Sequence, residues 1–147
     1  SASRDGLSLI AVVMKSPTSA LRFSNATALL DYGFSNYSYK SFGNKGEIVK
    51  NVDVTKGVST NVNAVYEQSP SFLVKKGEES NVTYEINLNN TVQSPVYQGQ
   101  QLGTIKYSLN GSEIETVNLV AENSVEKINL INMAKHIFND WFSLLRT

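Results

Sequence analysis

Two serines stand at spacings that could support acyl transfer. Ser124-Val-Glu-Lys127 carries the Ser-x-x-Lys spacing of enzymes that acylate a serine, and Ser59-Thr-Asn61 carries a Ser-x-Asn triplet. Their order along this chain is the reverse of the order in those enzymes, and no Lys-Thr-Gly strand completes a site. Patterns this short arise often by chance. His136 is the one histidine and has no neighbouring nucleophile, so it cannot make a triad. Asp53 and Glu78-Glu79 lack metal-ligand spacing, and there is no glycine-rich phosphate loop. With no cysteine in the chain, disulfides, zinc thiolates and thiol chemistry are excluded. The Asn-x-Ser/Thr sequons at Asn25 and Asn81 follow from an Asn-rich composition. These residues predict no catalytic constellation, metal or cofactor.

Composition narrows the remaining classes. The chain has 147 residues, 41% hydrophobic and 18% charged, which is enough for one ordinary domain and too apolar for a disordered one. Its 13 basic and 13 acidic residues cancel, so there is no electrostatic footprint for nucleic acid and no strong one for anionic lipid. No signal peptide opens the chain, and no apolar run is long enough to span a bilayer.

The elements that would carry a site fall into three zones. In residues 1–37, Asp5-Gly6 is a tight-turn signal between a very short first strand and the apolar run Leu7–Met14. A helix is expected next, with Ser16 as its cap, Pro17 in its first turn and Gly33 as its stop. Ala20, Phe23, Thr27 and Leu30 would be its apolar face. In residues 38–127 the texture changes to Val, Thr, Asn, Tyr and Gly, with turn signals at Lys56-Gly57, Lys76-Gly77 and Asn110-Gly111. Strands are predicted at Glu47–Thr55, Thr60–Tyr66, Phe72–Val74, Val82–Leu88, Leu102–Leu109 and Glu113–Ala121, as an antiparallel β-sandwich. Within the last hairpin Ile114 is out of phase with Val117, Leu119 and Ala121. Either Thr116 faces inward or a bulge shifts the register.

Residues 128–147 return to helical periodicity. Leu130, Ile131, Met133, Ala134, Ile137, Phe138, Trp141, Phe142, Leu144 and Leu145 fall within half a helical circumference, and polar residues fill the other half. Such a helix either covers the domain core or lies in a membrane interface. The paired aromatics Trp141 and Phe142 suit the interface, while the scarcity of cations opposite them would make lipid charge a weak contributor. Leu130, Ile131, Ala134, Ile137, Phe138, Trp141, Phe142 and Leu145 are the expected contact residues. The fold class is thus mainly β: a hairpin and helix, an antiparallel β-sandwich, and an amphipathic C-terminal helix.

The segment SRDGLSLIAVVMKSPTSALRFSNATALLDYGFSNY resembles the end of the catalytic domain of D-alanyl-D-alanine carboxypeptidases, the low-molecular-mass penicillin-binding proteins. Its specific part is the Arg-Asp-Gly turn, the apolar strand and the helix ending Leu29–Phe34. VYQGQQLGTIKYSLNGSEIETVNLVA is similar to their C-terminal β-domain, and the amphipathic tail is similar to the helix that commonly ends these enzymes. The resemblance covers essentially the whole chain. It implies a C-terminal fragment, itself not an enzyme, of a serine-type carboxypeptidase acting on peptidoglycan stem peptides. The Ser-x-x-Lys, Ser-x-Asn and Lys-Thr-Gly motifs would lie upstream. It implies no cofactor and no nucleic acid partner. The expected location is extracytoplasmic, on the outer face of the cytoplasmic membrane through the C-terminal helix. The β-domain would be a pedestal for the catalytic domain or, alternatively, a binding module for a cell-wall polymer or protein. The hairpin, deprived of neighbouring strands, is expected to self-associate or to be poorly ordered.

Overall fold

A computed structural model describes residues 1–129 of the chain. The hairpin forms as the turn chemistry dictates. Strands β1 (Ala2–Arg4) and β2 (Leu7–Leu9) pair antiparallel in the register Ala2↔Leu9, and Asp5 and Gly6 both take positive φ, 50° and 78°. A two-residue loop with two left-handed residues matches the strand twist. The predicted strand was too long, however. Pairing stops at Leu9, and beyond it Ile10, Val12 and Met14 are 80%, 76% and 83% exposed.

Helix α1 (Ser19–Asn36) begins two residues later than its expected start. Thr18, not Ser16, is the cap, and its side chain accepts from the Leu21 N–H. Gly33 lies inside the helix rather than ending it. A Cβ there would stand 2.5 Å from Leu9 Cδ1, so glycine permits the close approach of β2. The expected apolar face is not buried: Phe23 is 74% exposed, and Phe34 is the helix's buried residue. Helical spacing located the helix but not the side that packs.

The strands that follow are β3 (Tyr37–Ser41), β4 (Ile48–Thr55), β5 (Asn61–Tyr66), β6 (Ser71–Lys75), β7 (Val82–Leu88), β8 (Thr91–Gln93), β9 (Gln101–Leu109) and β10 (Ser112–Ala121). All six predicted strands are present, within two residues at each end. Strands β3 and β8 carried no legible signal. Six strands form one mixed sheet in the order β7-β9-β10-β5-β4-β8, while β3 pairs with β6 in a separate two-stranded sheet. The strictly antiparallel arrangement is corrected by β8, which runs parallel to β4 with Asp53↔Thr91 and Thr55↔Gln93 in register.

Strands β7 and β8 occupy opposite edges of that sheet, yet only Asn89 and Asn90 join them. Three Cα–Cα steps reach at most about 11 Å. The sheet must therefore curl until its two edges approach where this link crosses. The link does not form a hairpin: the Asn90 carbonyl accepts from the Asp53 N–H at 3.2 Å, and β8 continues alongside β4.

By compactness the described chain divides into two units. The first comprises Ser1–Asn44, Ser69–Glu85 and Lys106–Thr116. Its core is aromatic: Phe42 and Phe72 stack at 4.5 Å between centroids, and Tyr107 leans on Phe72 at 5.4 Å. Arg4 lies 4.7 Å over the Phe34 ring, and Lys76 Nζ donates to the Phe34 carbonyl at 2.7 Å, satisfying a helix-end acceptor. The second unit comprises Lys45–Gln68, Ile86–Ile105 and the chain from Val117 onward. There Val52, Val62, Ala64, Leu119 and Ala121 are at most 3% exposed, and within β4, β5 and β10 they recur at every second position.

The phase of β10 resolves the conflict noted in sequence. Ile114 is 39% exposed and Thr116 is exposed, while Glu115 is the less exposed residue between them. The positions that alternate with Val117 and Leu119 thus continue through Glu115. Thr116 does not turn inward.

Candidate functional site

The sequence patterns that suggested acyl transfer are not assembled into a site. Ser124 and Lys127 lie on an extended segment in which Val125 bridges Val96 and Lys127 bridges Gly57. Residues three apart on extended chain point to opposite faces, so this Lys cannot serve this Ser. The Ser124 hydroxyl instead accepts from the Gln98 N–H at 2.9 Å and pins a turn. Ser59 is exposed between β4 and β5, and Asn61 begins β5 opposite Asp53.

The acidic residues have local partners. Glu78 pairs with Lys75 and Glu79 with Lys40, each at 3.5 Å. Hydrogen bonds from the backbone N–H groups of Glu79 and Gly77, aided by Lys40, hold the Glu79 carboxyl below its usual range. Among the described residues no group of three His, Cys, Asp or Glu side chains could hold a metal ion, and no helix is long and apolar enough to cross a membrane. His136 and the eight expected contact residues, Leu130, Ile131, Ala134, Ile137, Phe138, Trp141, Phe142 and Leu145, lie outside the described residues.

Among the described residues two hollows are candidates. The smaller, about 210 Å³, lies in the first unit beside Arg4, Phe34, Ser38 and Lys76. Its cations are engaged: Arg4 pairs with Asp31 at 3.8 Å and covers Phe34, and Lys76 caps the helix end. The larger, about 390 Å³, lies in the second unit over β5 and β10. Its floor is Val65 and Val120, which are cross-strand partners. Two glycine turns form its walls. Gly46, at φ 80°, donates its N–H to the Tyr66 carbonyl, and Gly99, at φ 79°, donates to the Ala121 carbonyl. Both glycines hold left-handed backbone that other residues adopt only under strain.

A glutamate stands at each end of this groove, and each is fixed by an amide chain. Asn51 Nδ2 donates to Asn63 Oδ1 at 2.9 Å, and Asn63 Nδ2 donates to Glu122 Oε2 at 2.8 Å. Gln101 Nε2 donates to Asn118 Oδ1 at 3.1 Å, and Asn118 Nδ2 donates to Glu67 Oε2 at 2.8 Å. A carboxylate only accepts, so it fixes which way each amide faces. Sequence reading missed all six residues. Their outward positions, on β4, β5, β9 and β10 or one residue past the ends of β5 and β10, become neighbours only through strand register. The signal that could have found them is the run of Asn and Glu at positions alternating with the buried Val, Ala and Leu.

Known proteins resemble this chain in both sequence and fold. The chain is 30% identical over 142 residues to the D-alanyl-D-alanine carboxypeptidase DacF of Bacillus subtilis, covering 96% of this chain and 36% of that protein. It is 27% identical over 152 residues to the D-alanyl-D-alanine carboxypeptidase DacC of Escherichia coli, covering 97% and 38%. The chain therefore spans little more than a third of these relatives. The crystal structure of penicillin binding protein 5 from Haemophilus influenzae superposes with a TM-score of 0.66 at 28% identity, over 78% of this chain and 34% of that one. The sequence pattern of one family matches residues 37–127, from β3 through the bridge at Lys127, and on that match the chain belongs to the family described as penicillin-binding protein 5, C-terminal domain.

Proposed function

We propose that the chain is the C-terminal part of a serine-type D-alanyl-D-alanine carboxypeptidase that trims peptidoglycan stem peptides. In this reading residues 38–127 are a non-catalytic pedestal, a sandwich-like β-domain that carries the catalytic domain. Residues 128–147 hold it on the outer face of the cytoplasmic membrane. The observation that carries the proposal is the family match over 37–127 within relatives almost three times as long. The parent would work through an acyl-serine intermediate, with backbone N–H groups stabilising the oxyanion. None of those residues maps onto this numbering. What the described residues contribute is a curled, closely packed sheet, the stiffness a spacer requires.

The membrane role is tested by vesicle co-sedimentation of the chain beside Trp141→Ser/Phe142→Ser, with thermal unfolding of both. Burying each large aromatic is worth roughly 1.5–3 kcal/mol, so the double change should weaken vesicle binding at least tenfold and leave the melting temperature unchanged. Binding should also depend little on salt, because the polar face carries few cations. Absent or unaltered sedimentation, together with a lowered melting temperature, would assign the helix to the fold instead.

A further inference from the structure

We infer that the groove over β5 and β10 is a binding site for an extended peptide segment carrying ammonium groups four residues apart. The inference stands whether or not the pedestal reading holds, because it uses only residues of this chain. It starts from register. Val65 pairs with Val120 and Ala64 with Ala121, so Asn63 stands opposite Glu122, and Glu67 stands opposite Asn118. The backbone bonds Glu122 N–H to Asn63 O and Glu67 N–H to Asn118 O continue that register in both directions. The two glutamates are therefore four positions apart along the strands, about 13 Å at the usual strand rise. Between them lies the apolar pair Val65 and Val120.

The carboxylates suit a cationic ligand by charge and by construction. Each takes one amide N–H on Oε2. The amide chains behind them hold both side chains in place before a ligand arrives, which lowers the ordering cost of binding. An extended peptide with Lys at positions i and i+4 spans the same roughly 13 Å, and a small apolar side chain at i+2, which shares their face, would rest on the valines. The two glycine turns keep the walls free of Cβ atoms at Gly46 and Gly99.

The experiment is a ¹H–¹⁵N NMR titration of the chain with acetyl-Lys-Thr-Val-Thr-Lys-amide. Acetyl-Lys-Lys-Thr-Val-Thr-amide, of the same composition and charge, is the control. The spaced peptide should shift the amides of Gly46, Val65, Gly99 and Val120, with a Kd on the order of a millimolar for two partly exposed ion pairs. It should bind at least threefold tighter than the control. In Glu67→Gln/Glu122→Gln, where the amide still accepts from Asn118 and Asn63, affinity should fall about tenfold. Resonances away from the groove should stay in place, which shows that the fold is intact. Equal affinity for the two peptides, shifts centred elsewhere, no shifts at all, or undiminished binding by the intact double variant would each overturn the inference.

Discussion

Gly103 on β9 and the Asn87 carbonyl on β7 are so close that a Cβ on Gly103 would collide with that oxygen and come within 2.8 Å of Leu88 Cα. Both obstacles are backbone, so no side-chain rotation can relieve them. Gly103 is thus where the curled sheet draws β9 and β7 together. Gly103→Ala should destabilise the chain by roughly 1–3 kcal/mol or more, the usual cost of overpacking. Gly111→Ala is the comparison. Gly111 has open space but φ 81°, so it pays only conformational strain, about 1 kcal/mol. Urea unfolding of both variants should rank Gly103→Ala lower in midpoint; the reverse order would show that the sheet can open at this point.

Strand positions were readable because apolar residues at every second position and Asn-Gly or Lys-Gly punctuation both act locally. Val82–Leu88 and the turn at Asn110-Gly111 depend on little beyond their own residues. Strand β8 was not readable, since three residues hold no period and its partner β4 lies more than thirty residues earlier in the chain. The helix cap was misplaced for a similar reason. Ser16 and Thr18 are both competent caps, and only the entry angle of the chain selects between them. The groove was invisible because hydrogen bonds such as Asn118 to Glu67 join residues 51 positions apart. Composition showed many Asn residues, but register gave them direction.

The stacked pair of the first unit should be energetically decisive there. Phe72 is buried against Phe42 at an interplanar angle of 7° and against Tyr107, which is 2% exposed. Phe72→Ala removes both ring contacts and leaves a cavity, a change that typically costs about 3–5 kcal/mol. Phe72→Leu keeps most of the volume and should cost less than half as much. Calorimetry would read the first as a fall of roughly 10 °C or more in Tm. A loss below 1 kcal/mol for Phe72→Ala would mean that neighbouring rings close the gap.

The apolar stripe after β2 should govern association. Ile10, Val12 and Met14 are exposed at alternate positions, the pattern of a strand face without a neighbour. Sedimentation equilibrium should find concentration-dependent self-association of the chain, weakened by Val12→Lys through charge repulsion and lost apolar contact. A monomer at all concentrations, or association unchanged by Val12→Lys, would remove this segment from consideration.

The last expectation concerns pH. The Glu113 carboxylate accepts from the Thr116 hydroxyl at 2.8 Å and from Lys106 Nζ at 3.3 Å. The Thr116 hydrogen bond is the larger cause, followed by Lys106 through its hydrogen bond and charge, and together they lower the Glu113 pKa below the ordinary glutamate value. A carboxyl whose folded pKa is depressed adds stability above its unfolded pKa and loses it as pH falls through the folded one. Its contribution is therefore complete at neutral pH and disappears only in the acid range. Because the group is exposed, the effect on global unfolding should be small, and side-chain titration is the sensitive measurement. Carbon NMR of the Glu113 carboxyl should give a midpoint below the glutamate norm in the parent chain. Thr116→Val should raise that midpoint more than Lys106→Met does. If the lysine variant has the larger effect, charge rather than the hydroxyl sets this carboxylate's affinity for its proton.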